Sequence, residues 1–479
     1  MHINEEISNK WGEQDNMSTE IKWIDLLPGL NVLKWTTKAT IGVAKGVMYL
    51  NAKSKAGRES DMNIFGTLPL SMQTQNPCGV VFGKQADKHI VKPENTDGHI
   101  MIVGGVGSGK SSCIAIPTLR SWNQRVFAID IKNELHTKTK TYRQNIKVFN
   151  PLNSYGYGYD PYYFLSRSNN KGQEARAIAQ AIIPLPPDTK DPFWIESAQN
   201  LLTGAILHFH GKGYSFLETI RLIQSMNGQK LIDTIHESGI ADAQYYISSF
   251  VDIEVKTLSG IMLEVSRSIL PFITDKHLIS CLSKKTNITP VDLEYGHDIY
   301  IQIPEHLLRQ WKGLLTLIVN QFLTYFEQRS ETNSTPILFM LDEFPRLGKV
   351  EAIIDGLATL RSKKITICLI IQSLAQLDLI YGANERKVIA DTCAYKAILS
   401  ATDAETQDYF SRLVGTYDDK VTAHGTNSSA FIGFPTAKTT NTYEQEKRII
   451  KPEEFATLED IVLLTPHGVC LVEKTPYYS

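Results

Sequence analysis

Cysteine is scarce and scattered in this sequence: six residues among 479, Cys78, Cys113, Cys281, Cys368, Cys393 and Cys470, with no C-x-x-C and no paired spacing. That argues against a disulfide framework or a cysteine metal site and predicts small buried apolar side chains in a reducing compartment. An excess of charge of either sign is also missing. The formal net charge is −2 at pH 7, so no global positive field draws nucleic acid, and any contact with DNA must come from a local basic lining. Long apolar runs are absent as well. No window holds the ~20 apolar residues that a spanning helix requires, and the uncharged run from Met62 to Gly83 is broken by Pro69 and Pro77. The opening MHINEEISNKWGEQDNM is polar and acidic, the opposite of a secretory signal. No internal repeat is visible. A soluble protein is expected, with length enough for two or three domains.

What the sequence does contain is HIMIVGGVGSGKSS, from His99 to Ser112. The apolar run Ile100 to Val103 predicts a buried strand. Gly104, Gly109, Lys110 and Ser111 then fill the fixed positions of G-x-x-x-x-G-K-[ST]. Gly105 and Gly107 help the loop take positive φ and bring its N–H groups close to an anion. The helix opening near Lys110 adds its own unpaired N–H groups. Gly104, Gly105, Gly107, Ser108, Gly109, Lys110, Ser111 and Ser112 are therefore the candidate nucleotide cradle, for ATP, with Lys110 reaching the β and γ phosphates and Ser111 on Mg²⁺.

Around it, strands alternate with helices, which predicts an α/β fold with a parallel sheet. Residues 79 to 98 read as a strand pair leading into the cradle strand; RVFAID, IKVF, HDIYIQIPE, PILFMLDE, ITICLIIQSL and AYKAILSA read as further strands. Between about Ser154 and His277 only helical periodicities occur, an all-helical insertion. Asp191 before Pro192 reads as an N-cap with proline at the first helical position. Val421 to Thr442, rich in Ser, Thr, Asn and Gly, reads as a mobile loop, and TLEDIVLL as a helix before a last strand. Near the N-terminus, Asn31 to Leu50 places Lys34, Lys38 and Lys45 within about 40° of one another on a helix, opposite Val32, Trp35, Ala39, Val43 and Val47. Such a stretch lies on a membrane surface or packs on the body of the protein.

A cradle alone says nucleotide; hydrolysis needs a carboxylate strand. ILFMLDEF provides Asp342 as a Mg²⁺ ligand with Ser111, and Glu343 as the base that polarises the attacking water. Gln372, ending the apolar run ITICLIIQ, is placed to orient water or sense the γ phosphate, or else is a buried structural glutamine. Arg361, opening RSKK, is the candidate arginine finger for a neighbouring subunit, with Arg346 a weaker rival; the alternative is a surface arginine in a basic loop. Lys132, Lys138, Lys140, Arg143 and Lys147, and separately Lys363 and Lys364, are basic clusters that either face DNA or are ordinary surface charge.

HIMIVGGVGSGKSS followed by Ile116 and Pro117, AIDIKNEL, FNPL, DPFW before AQNLL, DIYIQIPEH, FMLDEFPRLG and LIIQSLAQL together resemble the type IV coupling proteins, the TraG/TraD-like ATPases of conjugation and type IV secretion. The resemblance runs collinearly from about Gly79 to the C-terminus. It implies a RecA-like P-loop NTPase domain with a mostly parallel sheet, formed by 79–154 and 283–479, and an inserted all-α domain at 155–282, behind an N-terminal segment 1–78 for membrane or partner docking. It implies a homo-hexamer with ATP and Mg²⁺ at subunit interfaces, with Arg361 and Gln372 falling where the family's arginine finger and glutamine lie. It also implies recruitment of a relaxase or relaxosome with single-stranded DNA, or of a protein substrate, to the components of a type IV secretion channel. Family members usually begin with transmembrane helices. None is evident here, so a cytoplasmic protein peripheral at the cell membrane is expected, attached through a membrane-protein partner or through Asn31 to Leu50. The family's D-P-K-G-E-L stands here as Asp130 to Leu135 without the proline and glycine, and Asp391 replaces a usual asparagine. Two other readings are a double-stranded DNA pump of the chromosome-partitioning type and a nucleotide-switched docking adaptor without translocation.

Overall fold

The computed structural model describes residues 68–187, 189–332, 334–426 and 438–478. Most of the expected N-terminal segment 1–78, with Asn31 to Leu50, lies outside the described residues, as does the middle of Val421 to Thr442. A nine-stranded sheet forms the body. Its strands are β4 (Ile100–Val103), β5 (Arg125–Asp130), β6 (Ile146–Phe149), β7 (Asp298–Gln302), β8 (Ile337–Leu341), β9 (Ile365–Ile371), β10 (Tyr395–Ile398), β13 (Ile461–Thr465) and β14 (Gly468–Val472). They are numbered after a small antiparallel sheet of β1 (Gln73–Thr74), β2 (Val80–Gln85) and β3 (Lys88–Lys92), and around a ribbon of β11 (Thr416–Thr426) and β12 (Lys438–Arg448).

The order across the large sheet is β14-β13-β10-β4-β9-β8-β5-β7-β6, parallel from β10 to β6, with β13 and β14 antiparallel at one edge. Continuous apolar runs such as ILFML and ITICLII form its centre because both faces are covered, so neither alternate position has to be polar. Alternation decides which face each residue serves. Val103, Phe127, Ile129, Phe339, Leu341, Leu369 and Ile371 join the core beneath the long helix Leu308–Glu327. Ile102, Val126, Ala128, Leu338, Met340 and Ile370 face Cys113, Ile114, Ile116, Leu119 and Trp122 from the cradle helix.

Between β6 and β7 the α-helices Lys171–Ile182, Phe193–Gly211, Phe216–Ser225, Gly228–His236, Ala241–Ile247, Val255–Thr274, Lys276–Leu282 and Pro290–Glu294 are the main regular elements, and no strand occurs among the described residues there. The helix Phe216–Ser225 starts on a capping box of Ser215 and Glu218. The Asp191 carboxylate accepts from Phe193 N–H at 3.2 Å, but the N-cap of the helix Phe193–Gly211 is Pro192, so the expected cap and its proline each stand one residue earlier relative to the helix than the sequence suggests.

Two expectations are corrected. Val421 to Thr442 is not simply a loop: its described ends belong to the ribbon, in register from Thr416 opposite Arg448 to Thr426 opposite Lys438. Threonine is rich in both segments, and its β-branched side chain suits a strand as well as a polar linker. TLEDIVLL is no helix: Ile461, Val462 and Leu463 are buried in β13, between β10 and β14. A strand flanked on both sides and covered on both faces buries three successive apolar residues where a surface helix would leave one exposed.

Candidate functional site

The parallel strands end together, and the candidate site sits at their carboxyl edge. Val103 of β4 pairs with Ile371 of β9, and Leu341 of β8 with Leu369. The segments following β4, β9 and β8 carry, in spatial order, the glycine loop, Gln372, and the Asp342–Glu343 pair. More than two hundred positions of sequence separate Lys110 from Asp342; one intervening strand separates their parent strands in space.

The loop is shaped for close approach. Gly107 and Gly109 have φ of 77° and 97°, and a Cβ on Gly104 would stand 2.3 Å from Ser108 Oγ. Gly104 N–H donates to Ile371 O at 3.2 Å, and Gly105 N–H to Ser400 Oγ at 3.0 Å. The chain then winds through a π-helical segment, Lys110–Ala115, into the α-helix Ile116–Ser121, so Pro117 falls near the helix start and is accommodated. Lys110 Nζ donates to the carbonyls of Gly104 and Gly105 at 2.5 and 3.0 Å. Burial lowers its pKa, and the nearby Glu343 and Asp342 carboxylates oppose that. The Ser108 hydroxyl is buried with no hydrogen-bond partner among the described residues, an unused donor inside the loop. Ser111 and Ser112 are part-exposed on the first turn, and Ser112 Oγ donates to Gly109 O at 3.4 Å.

Asp342 and Glu343 are each 3% exposed. Glu343 takes a left-handed backbone, φ 49°, and its N–H donates to Asp342 Oδ1 at 3.1 Å. Gln372 Nε2 donates to Glu343 Oε2 at 2.8 Å, and Lys132 Nζ lies 3.6 Å from Glu343 Oε1. Burial, then the Glu343 carboxylate, pushes Asp342 up to about 7, with Lys132 opposing. Asp342 is a buried carboxylate that forms no ion pair among the described residues and feels the charge of Lys110 from the loop, and a hard oxygen donor of this kind is the type that suits Mg²⁺.

Arg361 is not near this edge. It is exposed in the turn before β9, whose seven residues carry the chain toward Gln372. At ~3.3 Å per strand residue, that is upwards of roughly 20 Å from its own cradle. Arg346 follows Glu343 on a short 3-10 turn and pairs with Glu305.

Neither Lys132 nor Asp130 was singled out for this site from sequence. Lys132 belongs to this site, beside Glu343, and not to a basic strip along Lys138, Lys140, Arg143 and Lys147. Arg143 is buried, pairs with Asp298, and donates to the carbonyls of Leu119, Trp122 and Gln124. Lys147 pairs with Asp292 at 2.7 Å, Lys363 with Glu331 at 3.2 Å and Lys364 with Asp97 at 3.7 Å. Asp130 ends β5 beside β8 and is fully buried, accepting from the N–H groups of Leu135 and His136 at 3.1 and 2.9 Å. The available signal was an acid closing an apolar strand, the same one that marked Asp342. Asn133 adopts φ 55° in the turn after it, which explains how this chain dispenses with a glycine there.

Beside the loop lies a polar cleft of about 470 Å³, lined among others by Ser108, Gln372, Ser400, Asp403 and Lys474. Another cleft, about 510 Å³, lies between the helices Phe216–Ser225 and Val255–Thr274 and shares no lining residue with it. No helix among the described residues is long and apolar enough to cross a membrane.

A family model described as type IV secretory system conjugative DNA transfer matches residues 63–479. Protein VirD4 of Agrobacterium fabrum is 25% identical over 421 residues, 84% of this chain and 62% of that protein. The conjugal transfer protein TraG of Escherichia coli is 24% identical over 470 residues, 87% of this chain and 72% of that protein. The chain thus spans under two thirds of the VirD4 relative's length. In three dimensions it resembles the plasmid coupling protein TrwB, solved with the non-hydrolysable ATP analogue ADPNP. The TM-score is 0.66 at 15% identity, over 86% of this chain and 97% of that one, a likeness of fold.

Proposed function

We propose, from the premise that this chain belongs to the type IV secretory system conjugative DNA transfer family, that it is an ATP-driven coupling motor. It recruits relaxase-bound single-stranded DNA, or a protein substrate, to a type IV secretion channel at the cytoplasmic face of the membrane. The observation that carries this reading is the convergence of the loop after β4, Gln372 after β9 and the acidic pair after β8 on one sheet edge. A nucleotide switch needs the loop and one carboxylate for Mg²⁺; a second carboxylate, held in place beside the first as Gln372 holds Glu343, is what hydrolysis adds.

In this reading the loop N–H groups and Lys110 bind the triphosphate, while Ser111 and Asp342 would hold Mg²⁺, which would supply neutralising charge to the phosphate oxygens. Glu343 accepts the proton of the attacking water, and Gln372 keeps its carboxylate in place. Arg361, far from its own cradle, serves the neighbouring subunit of a homo-hexamer and stabilises the transition state there. The helices between β6 and β7, taken as an inserted domain at about 155–282, meet the substrate complex. That insertion disfavours a double-stranded DNA pump of the chromosome-partitioning type. Membrane attachment goes through a membrane-protein partner or through Asn31 to Leu50.

Mg²⁺-dependent ATPase assays with and without single-stranded DNA, alongside images of the assembly, test this. Slow turnover, stimulated by DNA, in six-fold rings and abolished by Lys110→Ala is expected. Background hydrolysis by the wild-type chain at concentrations where it forms hexamers would leave the docking adaptor and remove the motor.

A further inference from the structure

We propose that Lys132 is a positioning residue for Glu343, holding the Oε1 side of its carboxylate from within the same chain while Gln372 holds Oε2. The inference rests on the ATPase reading above and adds a residue to its chemistry.

The turn that carries Lys132 is fixed at both ends. On one side the Asp130 carboxylate accepts from Leu135 and His136 N–H. On the other, Asn133 Oδ1 accepts from Gln302 Nε2 at 2.5 Å, with Asn133 itself in the left-handed region. β5 and β8 are neighbours with Ile129 opposite Leu341, so the turn projects Lys132 over the end of β8 and brings its ammonium to 3.6 Å from Glu343.

Glu343 cannot choose its own orientation. Its side chain is buried, and its backbone sits at a positive φ that a residue with a Cβ adopts at a cost, so the surroundings must hold it there. The two partners take one oxygen each, and each carboxylate oxygen keeps a second lone pair for water. Lys132 is 47% exposed, and a solvent-screened pair of this kind contributes little to folding. Its removal therefore leaves a folded chain with a misplaced base. The rival reading, a DNA-facing basic strip, loses two of its members, because Arg143 is buried and Lys147 is paired, and only Lys138 and Lys140 of that stretch remain exposed beside Lys132.

The test compares wild type, Lys132→Met and Lys132→Arg in the full chain, by steady-state ATPase with Mg²⁺ and single-stranded DNA. Binding of ADP, with and without tetrafluoroaluminate as a transition-state mimic, is measured beside it by displacement of a fluorescent nucleotide. Lys132→Met is expected to lower kcat at least about tenfold with KM and ADP affinity within about twofold, and to lose a comparable share of the tightening by tetrafluoroaluminate; Lys132→Arg recovers most of both. Lys132→Met with kcat within about twofold of wild type, or with ADP affinity falling as far as kcat, overturns the proposal. So does Lys132→Arg no better than Lys132→Met. A wild-type chain that binds ADP yet neither hydrolyses ATP nor tightens on tetrafluoroaluminate overturns the ATPase reading, and this inference with it.

Discussion

Gln372 and Glu343 are joined by a hydrogen bond of 2.8 Å, the glutamine amide donating to the carboxylate, across the ends of the neighbouring strands β9 and β8. The amide fixes the direction of the buried carboxylate, as a base aimed at one water requires. Glu343→Gln keeps the shape and removes the base. It is expected to retain ATP binding and to trap ATP, with turnover lowered by about 10²–10⁴-fold. Nucleotide retained on the isolated variant checks this; loss of binding would take the role of base away from Glu343.

Arg361 and the cradle lie at opposite ends of β9, which makes a mixing experiment decisive. Arg361→Ala is expected to bind nucleotide normally and to lack turnover. Combined with Glu343→Gln, also inactive alone, it should regain partial activity, because a mixed ring contains sites with an intact base from one subunit and an intact arginine from the next. Mixtures as inactive as their components would show that Arg361 does not act between subunits.

Arg143 is structural. Its guanidinium is buried against Asp298 and three backbone carbonyls. Arg143→Ala leaves the buried Asp298 carboxylate without its counter-charge, held among the described residues only by the Val126 N–H at 3.0 Å, and is expected to cost about 3–5 kcal/mol of stability. Chemical denaturation reads this directly. A variant as stable as wild type but weaker on single-stranded DNA would return Arg143 to the basic strip.

Lys92 is 0% exposed, donating to Thr366 Oγ1 at 3.0 Å and to the Thr96 carbonyl. Burial pushes its pKa from 10.5 down to about 8. Below about pH 8 both folded and unfolded chains hold the proton, and the cost of burying the charge is present in full. Between about 8 and 10.5 only the unfolded chain holds it, so unfolding takes up a proton and stability rises with pH. The gap is worth at most roughly 3 kcal/mol. Wild type should gain on Lys92→Met in urea midpoint between about pH 7.5 and about pH 9.5; a constant difference between the two would contradict the burial account.

Much of the site was legible in the chain because its chemistry is local. The loop spacing from Gly104 to Ser111 and the acids after an apolar strand each require neighbours in sequence, so their motifs survive in one dimension. Lys132 was not legible as part of the site. Next to Lys138, Arg143 and Lys147 it read as one of a basic series, and only the pairing of β5 with β8 separates it from them. The ribbon β11–β12 and the strand β13 were misread for a related reason: pairing partners, not intrinsic preference, decide whether a threonine-rich or mixed segment becomes a strand.

The order of residues alone determined the glycine loop, the alternation that builds a parallel sheet and the helical stretch between β6 and β7, because glycine conformations and apolar periodicity are properties of short segments. Tertiary structure alone decided that Lys110, Asp342, Glu343 and Gln372 share one edge, that Lys132 joins them, and that Arg361 lies beyond their reach within the same chain. The physical reason is strand order. Inserting β9 between β4 and β8 in register aligns three carboxyl ends at one edge and leaves the amino end of β9, with Arg361, at the other.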